Sequence, residues 1–331
     1  MSSKLSDASF LDSLICYSYS WCEVDNFDAD YALCSDKAFK LALTLNQLEG
    51  TKGAFVVSSC NRSEIYVDGG NLESSAEALA NFFNKDTFEG KSYRGEEVFL
   101  HGAKVISGLV SVVIGEHEIR GQFKSGVKIA QANKWFSPNL QKLYSKLGKC
   151  ANKINDETSV NKNSTSVVGI AIEYLKAICG NLESSRIGVI GAGSSAKSFV
   201  KSLKKRGVRN INIYNRTREN AESMMQNLEV GSYTVYSGTT ELIENCDYIF
   251  SSIFSEYPII HAATYNGEFE TTGAINKHFI DISVPSIIED EETKGVFTMN
   301  QVQDGVKQSL ETRKNSVCEA EEIIKQYCES L

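Results

Sequence analysis

Ser58, Ser59, Cys60, Asn61 and Arg62 place two hydroxyls, a thiol, an amide and a guanidinium within five residues, directly after the apolar run Ala54 to Val57. A second alternating run, Glu64 to Val67, follows at once. Cys60 therefore sits where a buried strand surfaces, with a cation two residues away to favour the thiolate, the form of cysteine that attacks carbonyls. The plain alternative is packing. The chain has nine cysteines, and a cysteine also serves as a small buried hydrophobe.

Two further segments carry polar groups in suggestive patterns. In SGLVSVVIGEHEIRGQ, residues 107 to 122, the apolar run stops at Gly115, and Glu116, His117, Glu118, Arg120 and Gln122 then crowd together. That density suits either the wall of a site or the start of a surface helix. In RIGVIGAGSSA, residues 186 to 196, a buried strand runs into G-x-G-x-x-A. Gly191 allows the tight turn, Gly193 lets the backbone approach a pyrophosphate, and Ala196 lets helix and strand pack closely. The next strand, Ile211 to Tyr214, ends in Asn215-Arg216-Thr217-Arg218. An NAD-binding protein places an acid about there for the ribose hydroxyl. Two arginines stand there instead, which favours a 2′-phosphate and hence NADPH.

The elements that must hold these groups follow from periodicity and punctuation. A strand is expected at Leu14 to Tyr19, then a helix capped by Ser35-Asp36 with leucines at 41, 45 and 48, stopped at Gly50. Strand, sharp turn and strand surround Cys60, Gly69-Gly70 closes that pair, and a helix from about Leu72 to Phe83 covers it. A helical passage from about Glu96 carries His101, and basic helices run on to about Lys153. Strand and helix in alternation imply a small α/β sandwich. The polar stretch 156 to 165 reads as a connection. A short helix from Val167 to Cys179 precedes the dinucleotide unit, whose sheet continues at Tyr248 to Ile253 and Phe279 to Val284. Gln301 to Leu331 reads as one helix, on the order of 45 Å long, bracing the first domain against the second.

At 331 residues the chain is long enough for two or three domains with separate cores. No apolar run reaches the length of a membrane span and the N-terminus has no signal-peptide pattern, so a cytoplasmic protein is expected. No C-x-x-C occurs and none of the four histidines stands at zinc spacing from a cysteine, so reduced thiols and no metal are expected. The net charge is −8, yet Ile119 to Asn155 contains Arg120, seven lysines and no acid. That segment carries +8, which leaves −16 on the remainder. With Trp135, Phe136 and Tyr144 interleaved, it suits one polyanion docked at one place.

Taken together these residues resemble glutamyl-tRNA reductase, the first enzyme of tetrapyrrole, and so of porphyrin and haem, biosynthesis from glutamate. SSCNRSEIYV is similar to the family's S-T-C-N-R-x-E-x-Y signature. SGLVSVVIGEHEIRGQFK resembles its G-L-D-S-[LM]-V-x-G-E-x-Q-I-x-G-Q-V-[KR] element, and GAGSSA followed by NRT resembles its NADPH site. The resemblance implies an N-terminal α/β sandwich catalytic domain (1–156) and a Rossmann-type NADP-binding domain (157–298). A long connecting helix (299–331) would complete the chain, with the usual C-terminal dimerisation bundle mostly missing. It further implies reduction of glutamyl-tRNA(Glu) to glutamate 1-semialdehyde by NADPH through a thioester on Cys60. Arg62 would hold the substrate's carboxylate, Ser59 and Asn61 would supply hydrogen bonds, and His101 would orient substrate or handle protons. Ser111, Glu116, His117, Glu118 and Gln122 would form the second substrate-contacting element. Gly191, Ala192, Gly193, Ser194, Ser195, Ala196, Asn215, Arg216 and Arg218 would bind the cofactor. Glutamate-1-semialdehyde aminomutase is the expected protein partner, and either a monomer or a helix-paired homodimer fits.

Departures from the pattern support an alternative, a non-catalytic paralogue that binds tRNA or regulates the pathway. Val110 replaces an aspartate and Glu118 a glutamine. R-x-E-T reads Asn155-Asp156-Glu157-Thr158, and P-R reads Pro285-Ser286. A general NADP-dependent dehydrogenase would explain the glycine loop but leave Ser58 to Arg62 without a purpose.

Overall fold

The computed structural model describes all residues except 1–9, 21–27, 32, 60–61, 112–114, 116–117, 161–165, 256, 262–276, 290 and 292–293, and omits the side chains of 29 and 303–314. Two compact units form: residues 1–164 with 308–331, and residues 165–307.

In the first unit the elements are β1 (Leu14–Ser20), α1 (Ser35–Asn46), β2 (Thr51–Ser59), β3 (Arg62–Gly69), α2 (Leu72–Phe83), β4 (Lys91–Arg94), α3 (Glu96–Ile106), α4 (Glu118–Ala132) and α5 (Pro138–Glu157). The sheet order is β2-β3-β1-β4, every neighbouring pair antiparallel. Period-2 alternation sends the two sets of side chains into different cores. Ile15, Tyr17, Tyr19, Ala54, Val56, Ile65 and Val67 pack with Leu41 and Leu45 of α1 and Leu79 and Phe83 of α2. Cys16, Phe55, Val57 and Tyr66 pack with α3, α4 and α5 on the other face. The sheet is thus covered on both sides, which is why β1, flanked by β3 and β4, is buried along its whole length. β4, reading KSYR, is a polar edge strand without the apolar alternation that would announce it.

The second unit comprises α6 (Val167–Ile178), β5 (Ile187–Ile190), α7 (Ser194–Lys205), β6 (Asn210–Tyr214), α8 (Arg218–Asn227), β7 (Ser232–Val235), α9 (Thr239–Asn245), β8 (Tyr248–Ser251), β9 (His278–Asp281), β10 (Val296–Thr298) and the start of α10 (Met299–Glu329). Its sheet runs β10-β9-β8-β5-β6-β7, all neighbours parallel. This is a doubly wound Rossmann order, whose direction reverses between β5 and β8; ligands of such sheets bind outside the strand ends at that reversal.

The division expected after residue 156 falls at residue 164 because the chain leaving α5 stays on the first core. Thr158 Oγ1 donates to Ile154 O at 2.8 Å, and Val160 is fully buried. The last part of α10 also belongs to that core: Ala320, Ile323, Ile324 and Cys328 are buried there, Lys104 pairs with Glu321 at 2.7 Å, and Phe99 stacks on Tyr327. Among the described residues no helix is long and apolar enough to cross a membrane.

Candidate active site

β2 and β3 are paired to their ends, Ser59 opposite Arg62. Cys60 and Asn61, between them in sequence, lie outside the described residues, as do Glu116 and His117. Alternation along β3 turns Arg62, Glu64 and Tyr66 to one face of the sheet. There Glu64, fully buried, collects four donors. Arg62 Nη1 and Ser18 Oγ (3.0 Å) meet Oε1, while His101 Nε2 (2.8 Å) and Cys16 Sγ (3.7 Å) meet Oε2. Burial alone would push the Glu64 carboxyl pKa up; the charges of His101 and Arg62, with their hydrogen bonds, outweigh it and hold the group below the ordinary glutamate range. Arg62 Nη2 donates in turn to Val110 O, and the His101 ring stacks on Tyr93 at 4.0 Å between centroids.

Arg62, expected to hold the substrate's carboxylate, and His101, expected to orient the substrate or handle protons, therefore meet on one carboxylate. The sequence reading left Glu64 without a role. Its signal was there: an acid two residues from Tyr66 on one face of β3, beside the apolar Phe55 and Val57 of β2. Beside it the Tyr66 hydroxyl is buried, and burial, Cys16 and Glu64 all push its pKa well up. Cys16, Glu64 and His101 offer ligand atoms within 4.8 Å of one another. A divalent cation would nonetheless share Glu64 with the Arg62 guanidinium, so the donor set fits a hydrogen-bonded ion cluster better than a metal.

Ser59 and Ser111 are half-buried. Glu118 opens α4, where helix N-terminal dipoles favour a carboxylate, and Gln122 follows one turn later on the same face. The basic segment departs from expectation in two ways. Arg120 is a tether, donating to Ala151 O (2.8 Å) and Asn152 Oδ1 (3.1 Å) and so pinning α4 to α5. Trp135, Phe136 and Tyr144 pack against the core, with Phe136 edge-on to Phe55, because each has an apolar surface to cover. The lysines of α5 do form one stripe: 142, 146, 149 and 153 recur at helical spacing, with Lys142 Nζ over the Phe10 ring at 4.7 Å.

In the second unit Gly191 has φ +114°, and a β-carbon there would lie 2.7 Å from both Ser252 O and Ile253 Cγ2 beyond β8. Only glycine fits. Gly193 is the opposite case: a β-carbon would meet nothing within 4 Å. That open space is what close approach of a pyrophosphate needs. α7 begins immediately with no side-chain cap, so its first N–H groups are aimed at the same place. Ser194 is exposed, Ala192 and Ser195 are half-buried, and Ala196 is fully buried against the sheet. After β6, Asn215 Nδ2 donates to Thr217 O at 2.8 Å. Arg218 is engaged by Glu222 (2.8 Å) and Val235 O (3.2 Å), whereas Arg216 is exposed and has no polar partner among the described residues. The open cradle and unpaired guanidinium fit a phosphorylated dinucleotide.

Residues 18–158 match the family model described as glutamyl-tRNAGlu reductase, N-terminal domain, and residues 173–304 match shikimate / quinate 5-dehydrogenase. The glutamyl-tRNA reductase of Idiomarina loihiensis is 30% identical over 298 residues, covering 85% of this chain and 69% of the relative. The chain belongs to the glutamyl-tRNA reductase family. The reductase of Pseudoalteromonas atlantica is 26% identical over 308 residues, covering 90% of this chain and 73% of its own. The fold is also that of the glutamyl-tRNA reductase from Methanopyrus kandleri, with a TM-score of 0.50 at 22% identity over 96% of this chain and 79% of that one.

Three of the four departures from the glutamyl-tRNA reductase pattern have physical accounts. At Val110 the side chain differs, but its carbonyl is what anchors Arg62. Glu118 gains the start of a helix. Ser286, where the family pattern has arginine, donates to Asp281 Oδ2 at 2.8 Å. These accounts weaken the case for a degenerate, non-catalytic paralogue.

Proposed function

We propose that this chain reduces glutamyl-tRNA(Glu) to glutamate 1-semialdehyde with NADPH, through a thioester on Cys60, as the entry step of tetrapyrrole biosynthesis. Membership of the reductase family and the Rossmann unit with its open cradle support an NADP-dependent oxidoreductase. The observation that carries the reading of the site is the buried Arg62–Glu64–His101 cluster beginning two residues after Cys60.

The Cys60 thiolate attacks the ester carbonyl, the acyl C–S bond forms, and the bond to the tRNA terminal ribose oxygen breaks, that oxygen leaving with a proton. NADPH, when bound, supplies the hydride that turns the acyl group into an aldehyde and returns the thiolate. Arg62 grips the glutamyl side-chain carboxylate, an anion its planar fork matches. His101 orients the reacting acyl group or moves its proton. Ser59, Asn61, Ser111, Glu116, His117, Glu118 and Gln122 complete the glutamyl contacts, with Glu116 meeting the ammonium group. Gly191 to Ala196 hold the pyrophosphate, Asn215 and Arg218 border the adenosine side, and Arg216 reads the 2′-phosphate. The lysine stripe of α5 and the exposed Lys124 and Lys128 of α4 take the tRNA backbone.

Mixing the protein with glutamyl-tRNA in the absence of NADPH tests this. Acid quenching followed by peptide mass spectrometry should find a glutamyl adduct on Cys60, and Cys60→Ser should lose both adduct and semialdehyde. Semialdehyde formation by Cys60→Ser at the parent rate would overturn the mechanism.

A further inference from the structure

We propose that Glu64 is a positioning residue that sets the Arg62 guanidinium and the His101 ring in one operation. The inference rests on the reading of Arg62 as the grip on the substrate carboxylate, and adds a group to which no substrate contact is assigned. Each Glu64 oxygen serves a different functional side chain. Oε1 takes Arg62, with Ser18 as its second donor; Oε2 takes His101, with Cys16 as its second donor. An ionised carboxylate with no exposure to water accepts such a set only when its lone pairs are met by charges and hydroxyls. All four donors come from outside its own residue position, on β1, β3 and α3, so the carboxylate is held from three elements.

Two consequences follow for the site. Glu64 accepts from Nε2, so that nitrogen of His101 carries a proton. Stacking on Tyr93 fixes the plane of the ring about that bond. Arg62 is anchored at both terminal nitrogens, Nη1 by Glu64 and Nη2 by Val110 O, so its fork cannot turn freely. Substrate recognition by Arg62 and acyl chemistry beside His101 thereby depend on a single side chain. A glutamine at this position keeps one acceptor: with its oxygen on His101, the N–H₂ meets the Arg62 N–H groups and releases the guanidinium; with its oxygen on Arg62, the N–H₂ donates to His101 Nε2, which accepts only once the ring proton has moved to Nδ1.

The test separates positioning from bulk. Wild-type and Glu64→Gln proteins are assayed for thioester formation on one tRNA charged with either glutamate or glutamine. Glu64→Gln is expected to lower kcat/KM for the glutamyl substrate roughly 100-fold, the scale of a misplaced reacting group. With the glutamine N–H₂ on the Arg62 side, it is also expected to cut the glutamyl-over-glutaminyl preference by about 10-fold, since a loosened Arg62 no longer reads the carboxylate. A purely structural role would slow both substrates alike; an unchanged preference together with a His101 Nε2 that keeps its proton in Glu64→Gln would overturn the proposal. Nitrogen-15 NMR of the histidines in the wild-type protein, assigned with His101→Gln, gives a reading even if Glu64→Gln does not fold. A protonated Nε2 supports the proposal and a bare Nε2 refutes it. Failure of the wild-type protein to form any thioester would instead count against the function proposed above.

Discussion

Glu64 in the first unit and Asp281 in the second are both fully buried carboxylates at the ends of hydrogen-bond clusters, and they are solved in opposite ways. Glu64 is held by the charges of Arg62 and His101, and its pKa lies below the ordinary range. Among the described residues Asp281, at the end of β9, is held by neutral donors alone: Ser251 Oγ (2.8 Å) and the Ser283 N–H (3.0 Å) on one oxygen, Ser286 Oγ (2.8 Å) and the Ile287 N–H (2.9 Å) on the other. Burial pushes its pKa up, and those hydrogen bonds offset the shift only in part. The contrast separates two purposes. Neutral donors suffice to tie a loop to a strand, whereas a cation pair also fixes a guanidinium and an imidazole on one carboxylate.

The largest expected effect comes from removing a cation. Arg62→Met should destabilise the first unit by about 3–5 kcal/mol, because Glu64 is left buried without one of its two counter-charges. Adding Glu64→Leu should recover most of that loss. Urea unfolding of the full chain, followed by a probe in the first unit, measures both; a loss below about 1 kcal/mol in the single variant would erase the distinction between the two carboxylates.

Asp281→Asn tests the other half and should cost about 1–3 kcal/mol. One oxygen becomes an amide N–H₂ that faces a backbone N–H, either Ser283 or Ile287, and neither of those can turn round to accept. The matching probe is unfolding of the second unit. A neutral outcome would mean that the cluster tolerates a rearranged loop.

The smallest and most diagnostic effect is the pH dependence. Glu64 has a depressed folded pKa, so its contribution is present above the unfolded glutamate pKa and fades as pH falls through the folded value. Asp281 has a raised folded pKa, so its ionisation penalises folding above that value, and the penalty is relieved as pH falls through it towards the unfolded aspartate pKa. Each contributes about 1.4 kcal/mol per pH unit between its two pKa values. Acidification from neutral should therefore first favour the second unit and then weaken the first. Comparing wild type with Glu64→Gln and Asp281→Asn isolates the two slopes, and slopes of the same sign would contradict the comparison.

Much of the scaffold was legible because it is encoded locally. β1, β2, β3, α2 and the β5–α7 turn follow from alternation, helical spacing and glycine, which depend on neighbours a few residues away. α8, α9 and β10 carry weaker local signals, and β4 and β7 are edge strands whose polar faces hide their period. The lysine stripe was readable as charge, but whether its aromatics stacked on a ligand or filled the core was not, since the same residue types do both.

What this sequence determined by itself was the order of its chemistry: a cysteine beside an arginine, a polar wall, and a glycine loop with arginines in place of an acid. Those patterns are short, and the functional groups within them are fixed by spacing alone. Only the tertiary structure decided that Arg62 and His101 share Glu64, that Arg120 is a tether, and that the end of α10 belongs to the first core. Each of those facts joins residues distant in sequence, 37 positions apart for Glu64 and His101. Strand alternation specifies which face a side chain takes. It cannot specify which helix will pack there, and for a buried carboxylate the partner on that helix determines both its charge and its use.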